Sequence, residues 1–150
     1  MKRGFGPRFR VMHWCIDRYL TEALAKMDLT ASQGRIMGFI ARQERPPCPR
    51  DIEEAFGLSH PSVSGTLSRL EKKEFIQCRP DRDDRRCKRI YILPKGAQCH
   101  ERMIQEISQI EQQVVAGFSP EEEAVFTQLL DRAIRNMGGA RASCDKEEDK

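Results

Sequence analysis

A chain of 150 residues can bury a core of its own without covalent staples, as one domain or two small lobes. A third of the residues are charged, mean hydropathy is −0.64, and no run approaches the ~18 apolar residues of a membrane helix, which excludes a helical membrane protein. The net charge is only +3, but residues 45–96 hold 12 Lys/Arg against 8 Asp/Glu while the remainder holds 14 against 15, so the excess sits in one segment. A local basic block in a nearly neutral protein points to a polyanionic partner on one surface. The basic N-terminus lacks a following apolar signal core, so a cytoplasmic location is expected. Six scattered cysteines without CxxC pairs (Cys15, Cys48, Cys78, Cys87, Cys99 and Cys144) then read as reduced thiols.

In chain order, Ile16, Leu20, Ala23, Leu24 and Met27 recur at helical intervals and predict a helix over 8–27. Thr30 with Gln33 predicts a capping box for a second helix, whose apolar stripe is Ile36, Phe39 and Ile40. The proline-rich stretch 45–49 is a connector, since its prolines cannot continue a helix. A short helix is expected at about 50–56, stopped by Gly57 in a left-handed cap. Ser59 is expected to cap a fourth helix that runs to about Lys73, with Pro61 in its first turn. Ile76 to Arg79 and Lys88 to Leu93 predict two short strands joined by a charged loop. Met103, Ile107, Ile110 and Val114 mark a long helix from Pro94. After the break at 117–120, Ser119 caps a last helix carrying Val125, Phe126, Leu129, Leu130, Ala133, Ile134 and Met137. Glu121, Glu122 and Glu123 fall in its first turn, where the helix dipole favours negative charge. Gly138-Gly139 ends it, and the polar tail 138–150 is expected to be disordered.

Two helices with a tight turn at Gly57-Leu58-Ser59 have the spacing of a helix-turn-helix. When the second helix is phased on Val63, Leu67 and Leu70, the residues Pro61, Ser62, Ser64, Gly65, Ser68, Arg69 and Lys72 project outward. Small and hydroxylated residues at its start admit close backbone approach to a major groove, and the basic residues can meet base edges or phosphates. For a helical hairpin alone, a merely solvated polar face is an equally good account. The charged loop that follows, with Arg82, Arg85 and Arg86 between strands, shifts the balance, because it can reach an adjacent minor groove whose negative potential attracts arginine.

These residues together resemble the multiple antibiotic resistance regulator (MarR) family of winged-helix proteins, over roughly 8–137. The resemblance rests on Leu29-Thr30-Ala31-Ser32-Gln33, Gly57-Leu58-Ser59, Arg69-Leu70-Glu71-Lys72-Lys73, the run from Arg79 to Arg86, and Leu93-Pro94-Lys95-Gly96. It implies a mainly α fold with a small β-hairpin wing. Residues 45–95 would form the DNA-binding lobe, with dimerisation helices in 1–44 and 96–137. It implies double-stranded DNA as partner, a homodimer on a palindromic operator, and repression released by a small-molecule or oxidant signal. The family's Asp-x-Arg wing signature matches Asp84-Arg85-Arg86, where Asp84 is expected to brace the wing by pairing with an arginine. Two positions depart from the family pattern. Glu74 replaces the usual glycine, so the recognition helix is expected to run on or end without a left-handed cap. Pro94 replaces the usual threonine and can still open the next helix.

The resemblance also makes His13, Trp14, Arg18 and Tyr19 candidate contacts for a small aromatic effector, with ordinary dimer packing as the alternative. Cys15 lies where peroxide-sensing members carry a reactive thiol, and Cys87 sits among Arg86, Lys88 and Arg89, a cationic setting that favours thiolate. No metal or other cofactor is expected, since His13 and Cys15 diverge on a helix and Cys99-His100 lack further ligands. The sequence carries no phosphate loop or nucleophile motif, so an enzyme is not expected. The rival to a DNA reader is a winged helix that binds protein.

Overall fold

The computed structural model describes residues 4–82 and 87–139. Along the chain run α1 (Phe5–Lys26), α2 (Ala31–Ala41), α3 (Pro49–Phe56), α4 (His60–Lys72), β1 (Ile76–Pro80), β2 (Lys88–Ile92), α5 (Pro94–Val114) and α6 (Pro120–Asn136). The strands form an antiparallel hairpin with Ile76 opposite Ile92 and Pro80 opposite Lys88. The described residues fall into two compact units that divide after Ile110, within α5. Among them, no helix is long and apolar enough to cross a membrane.

Local chemistry sets most boundaries. The Thr30 hydroxyl accepts the Gln33 amide at 3.3 Å while Gln33 Oε1 accepts the Thr30 amide at 3.2 Å, so two otherwise orphaned donors open α2. Ser119 and Glu122 do the same for α6. At α3, Asp51 Oδ2 accepts the Cys48 amide at 2.7 Å, and Gly57 ends the helix at φ +61°. α1 begins earlier than its apolar periodicity indicates, at Phe5.

Two expectations are corrected. Ser59 occupies the N-cap of α4, but its hydroxyl pairs with the Ser62 hydroxyl at 2.9 Å and caps no amide. Glu74 does not prevent a left-handed cap; it adopts one itself, at φ +61°. The Phe75 amide then reaches the Leu70 carbonyl and the Glu74 amide the Glu71 carbonyl, both at 3.0 Å, which satisfies the last carbonyls of α4.

The core of the first unit gathers Leu24 of α1, Ile36, Met37 and Ile40 of α2, Ile52 of α3, Val63, Leu67 and Leu70 of α4, Phe75, Ile76 and Ile90 of the hairpin, and Met103 of α5. Gly96 is a packing requirement. A β-carbon there would lie 2.1 Å from the Phe75 carbonyl oxygen, an atom that also accepts the Leu93 amide at 3.0 Å. This close approach fixes how α5 leaves the hairpin. The second unit holds no buried residue in α6, where Val125 and Leu129 are each more than half exposed.

Candidate nucleic-acid interface

The buried stripe of α4 is the one its spacing predicts: Val63, Leu67 and Leu70 are all in the core. Thr66 joins them and returns its hydroxyl to the Ser62 carbonyl at 2.9 Å. The opposite face carries Pro61, Ser62, Ser64, Ser68, Arg69 and Lys72, all exposed, with Gly65 half-buried among them. A β-carbon at Gly65 would meet nothing within 4 Å, so the fold itself imposes no requirement for glycine there. The face is small and polar at its N-terminal end and basic at its C-terminal end, a surface that fits a groove and its phosphates.

α3 and α4 are locked by a side-chain contact that sequence reading missed, His60 Nδ1 to Glu53 Oε1 at 2.6 Å. A second brace runs from α4 to the hairpin, where Glu71 Oε1 accepts the Cys78 amide at 2.8 Å. Lys73, by contrast, turns away from the outer face. Its ammonium donates to the Asp28 carbonyl and to Gln33 Oε1, and pairs with the Asp28 carboxylate at 3.3 Å. A cleft between the N-terminus of α2 and α4 is lined by Ser32, Gln33, Pro61, Ser62, Gly65 and Arg69. Ser32 and the first turn of α2 thus share a surface with the outer face of α4, a position that sequence spacing alone does not reveal.

At the wing, Arg82 is exposed. Asp84, Arg85 and Arg86 lie outside the described residues, and so does the expected brace at Asp84. Among the described residues Asp81 makes a comparable contact: its Oδ2 accepts from Arg89 Nε at 2.7 Å. Arg89 Nη1 also donates to the Pro46 carbonyl at 3.3 Å, and the Ile90 amide to the Pro47 carbonyl at 2.9 Å, so β2 is tied to the connector before α3. Arg79 lies over the Tyr91 ring at 5.3 Å and donates twice to Gln77 Oε1, at 2.9 and 2.7 Å.

The effector candidates on α1 form a surface cluster. The Arg18 guanidinium lies 5.0 Å from the Trp14 ring and 5.5 Å from the Tyr19 ring, while His13, Trp14 and Tyr19 are all exposed. Cys15 is half-buried on the same helix. Cys87 is half-buried beside β2, and partial burial together with a hydrogen bond to Cys48 raises its thiol above the ordinary value. Its cationic setting is therefore outweighed, contrary to the expectation from Lys88 and Arg89. No group of three or more potential metal ligands occurs among the described residues.

A family model described as MarR family matches residues 27–86. PecS, an HTH-type transcriptional regulator of Dickeya dadantii, is 27% identical over 124 residues, covering 81% of this chain and 75% of that protein. YwaE, an uncharacterized HTH-type transcriptional regulator of Bacillus subtilis, is 32% identical over 88 residues, covering 59% of this chain and 52% of that protein. Among solved structures, MepR, a transcription regulator of the Staphylococcus aureus multidrug efflux pump MepA, is similar with a TM-score of 0.80 at 25% identity, over 89% of this chain and 98% of that one. A MepR–DNA complex is similar with a TM-score of 0.71 at 26% identity, over 90% and 99% of the two chains.

Proposed function

We propose that the chain is a transcription regulator of the MarR family, which its similarities support, and that it binds specific duplex DNA as a homodimer and represses until a signal releases it. The observation that carries this reading is the outer face of α4, exposed, small at its start and basic at its end, beside a braced arginine-bearing wing. In this reading Pro61, Ser62, Ser64, Gly65, Ser68, Arg69 and Lys72 face the major groove, with Ser62, Ser64 and Arg69 nearest the base edges. Arg82, Arg85 and Arg86 extend to the minor groove, and Ser32 at the start of α2 meets a phosphate.

The homodimer is supported by apolar side chains left uncovered in each unit. Phe9, Val11 and Trp14 of α1 are all more than half exposed, as are Val125 and Leu129 of α6. Scattered exposed hydrophobics are ordinary, but runs of them along helices at opposite ends of the sequence suit a second copy of the chain. Residues 45–95 then act as the reading lobe, with 1–44 and 96–137 supplying the assembly helices. The cluster of Trp14, Arg18 and Tyr19, with His13 beside it, offers aromatic faces and a cation to an aromatic acid once the dimer covers it.

Selection of bound sequences from fragmented genomic DNA tests the reading. The expected product is a palindrome with half-sites about one helical turn, ~10 bp, apart. Binding to it should weaken steeply with salt, and Arg82→Ala should reduce the slope of log K against log salt by about 0.9, the value of one phosphate. Sedimentation should give twice the 17.3 kDa chain mass. A pure chain that ignores duplex DNA at low salt overturns the reading.

A further inference from the structure

Cys48 is the N-cap residue of α3, and Cys87 directly precedes β2. Backbone ties bring them together. The Ile90 amide on the Pro47 carbonyl, at 2.9 Å, and Arg89 Nη1 on the Pro46 carbonyl, at 3.3 Å, hold β2 to the connector that ends at Cys48. From the other strand, the Asp81 amide donates to the Cys87 carbonyl at 2.8 Å and closes the base of the wing. Between these ties the Cys48 and Cys87 thiols stand near enough to perturb each other, in a cleft also lined by Cys78, His60, Ser64 and Ser68. Both are free thiols, half-buried, so the cleft leaves them open to a small reagent.

We propose that Cys48 and Cys87 are a redox-active dithiol that closes to an intrachain disulfide under a hydroperoxide and thereby weakens DNA binding. The inference deepens the function proposed above and rests on it for its regulatory half.

The chemistry balances with the peroxide as sole oxidant. The Cys48 sulfur attacks the peroxide oxygen as it gives up its proton; the O–O bond breaks, the departing alkoxide or hydroxide takes up that proton, and Cys48 becomes a sulfenic acid. The Cys87 sulfur then attacks the Cys48 sulfur, the S–S bond forms, and the displaced hydroxide leaves as water with the Cys87 proton. Two thiol hydrogens and two electrons pass to the peroxide, which ends as one water and one alcohol, or as two waters from hydrogen peroxide itself.

Closure brings the two sulfurs to about 2.0 Å. Both flanks are anchored in the core, α3 by Ile52 and β2 by Ile90, so the movement falls on Cys87 itself at the base of the wing. The same cleft borders Ser64 and Ser68 on the outer face of α4, so the wing shifts against the surface that reads DNA.

The test uses the full chain, hydrogen peroxide as oxidant, and the duplex recovered by genomic selection. After mild peroxide treatment, peptide mapping without reductant should yield a peptide joining the segments around Cys48 and Cys87, with the intact mass about 2 Da lower. Affinity should fall by at least about tenfold and return with dithiothreitol. Cys48→Ser and Cys87→Ser should each bind as the reduced wild type and lose the peroxide response. Absence of the joined peptide, or unchanged affinity once it has formed, overturns the inference. A reduced chain that ignores duplex DNA overturns the proposed function and the regulatory half together, while the peptide map still decides the dithiol.

Discussion

Arg89 Nε donates to Asp81 Oδ2 at 2.7 Å, joining the two strands at the base of the wing across eight residues of sequence. Asp81 is the more enclosed partner, and the Arg89 guanidinium continues to the Pro46 carbonyl, so one cation links strand, loop and connector. A fork-shaped guanidinium suits such multiple contacts better than an ammonium.

Asp81→Asn removes the charge and keeps the shape. Amide exchange over the hairpin should quicken while the helices keep their protection, because the brace is local. DNA affinity should fall about tenfold, read by fluorescence anisotropy on the selected duplex. Unchanged exchange in the variant would show that the backbone ladder alone holds the wing.

Gly65 separates stability from binding. Nothing stands within 4 Å of the position a β-carbon would take, so Gly65→Ala should stabilise the free chain by about 1 kcal/mol through helix propensity. In thermal denaturation that is an increase of roughly 2–4 °C. Affinity for DNA should drop at the same time, because the added methyl group occupies the surface that approaches the groove. A variant that is both more stable and equally tight would remove Gly65 from the interface.

Glu74 bears a left-handed backbone at φ +61° with its side chain exposed. Glu74→Gly should relieve that strain and stabilise by about 0.5–1 kcal/mol, the residual after glycine's greater unfolded-state entropy. Glu74→Val should do the opposite, since branching at the β-carbon worsens the same crowding. Urea denaturation of the two variants against wild type checks both signs.

His100 is held below its ordinary value first by burial and then by the nearby Arg42, with Glu101 opposing. A lowered folded value means the unfolded chain binds more protons between that value and about 6.5. Stability contributed by neutral His100 is therefore complete above that window and is lost as pH falls through it. His100→Gln, uncharged throughout, should gain stability relative to wild type as pH drops from 7 to 5.5. A difference that stays constant with pH would show that His100 does not titrate abnormally.

Much of this molecule was legible in the sequence because its signals are local. The Thr30–Gln33 box spans three residues, Ser119 caps from the residue before its helix, and the stripe of Val63, Leu67 and Leu70 follows from helical geometry alone. Such short-range determinants announce the helix-turn-helix and orient its outer face whatever the rest of the chain does. What tertiary structure decided is which distant groups meet. Lys73, next to the outward-facing Lys72, is instead held by Asp28, 45 residues away. Glu74 looked unable to end a helix in the left-handed region, yet it adopts that conformation where Phe75 enters the core and its carbonyl receives Leu93. The wing was read as an arginine loop braced at Asp84, which lies outside the described residues, whereas the brace seen within them is Asp81 with Arg89. That Cys48 and Cys87 line one cleft has no sequence signature at all, because it depends on β2 docking against the connector before α3. Periodicity and caps fix each element from within a few residues; burial and long-range hydrogen bonding choose partners only when those elements pack, and that choice determines which charges remain free to face DNA.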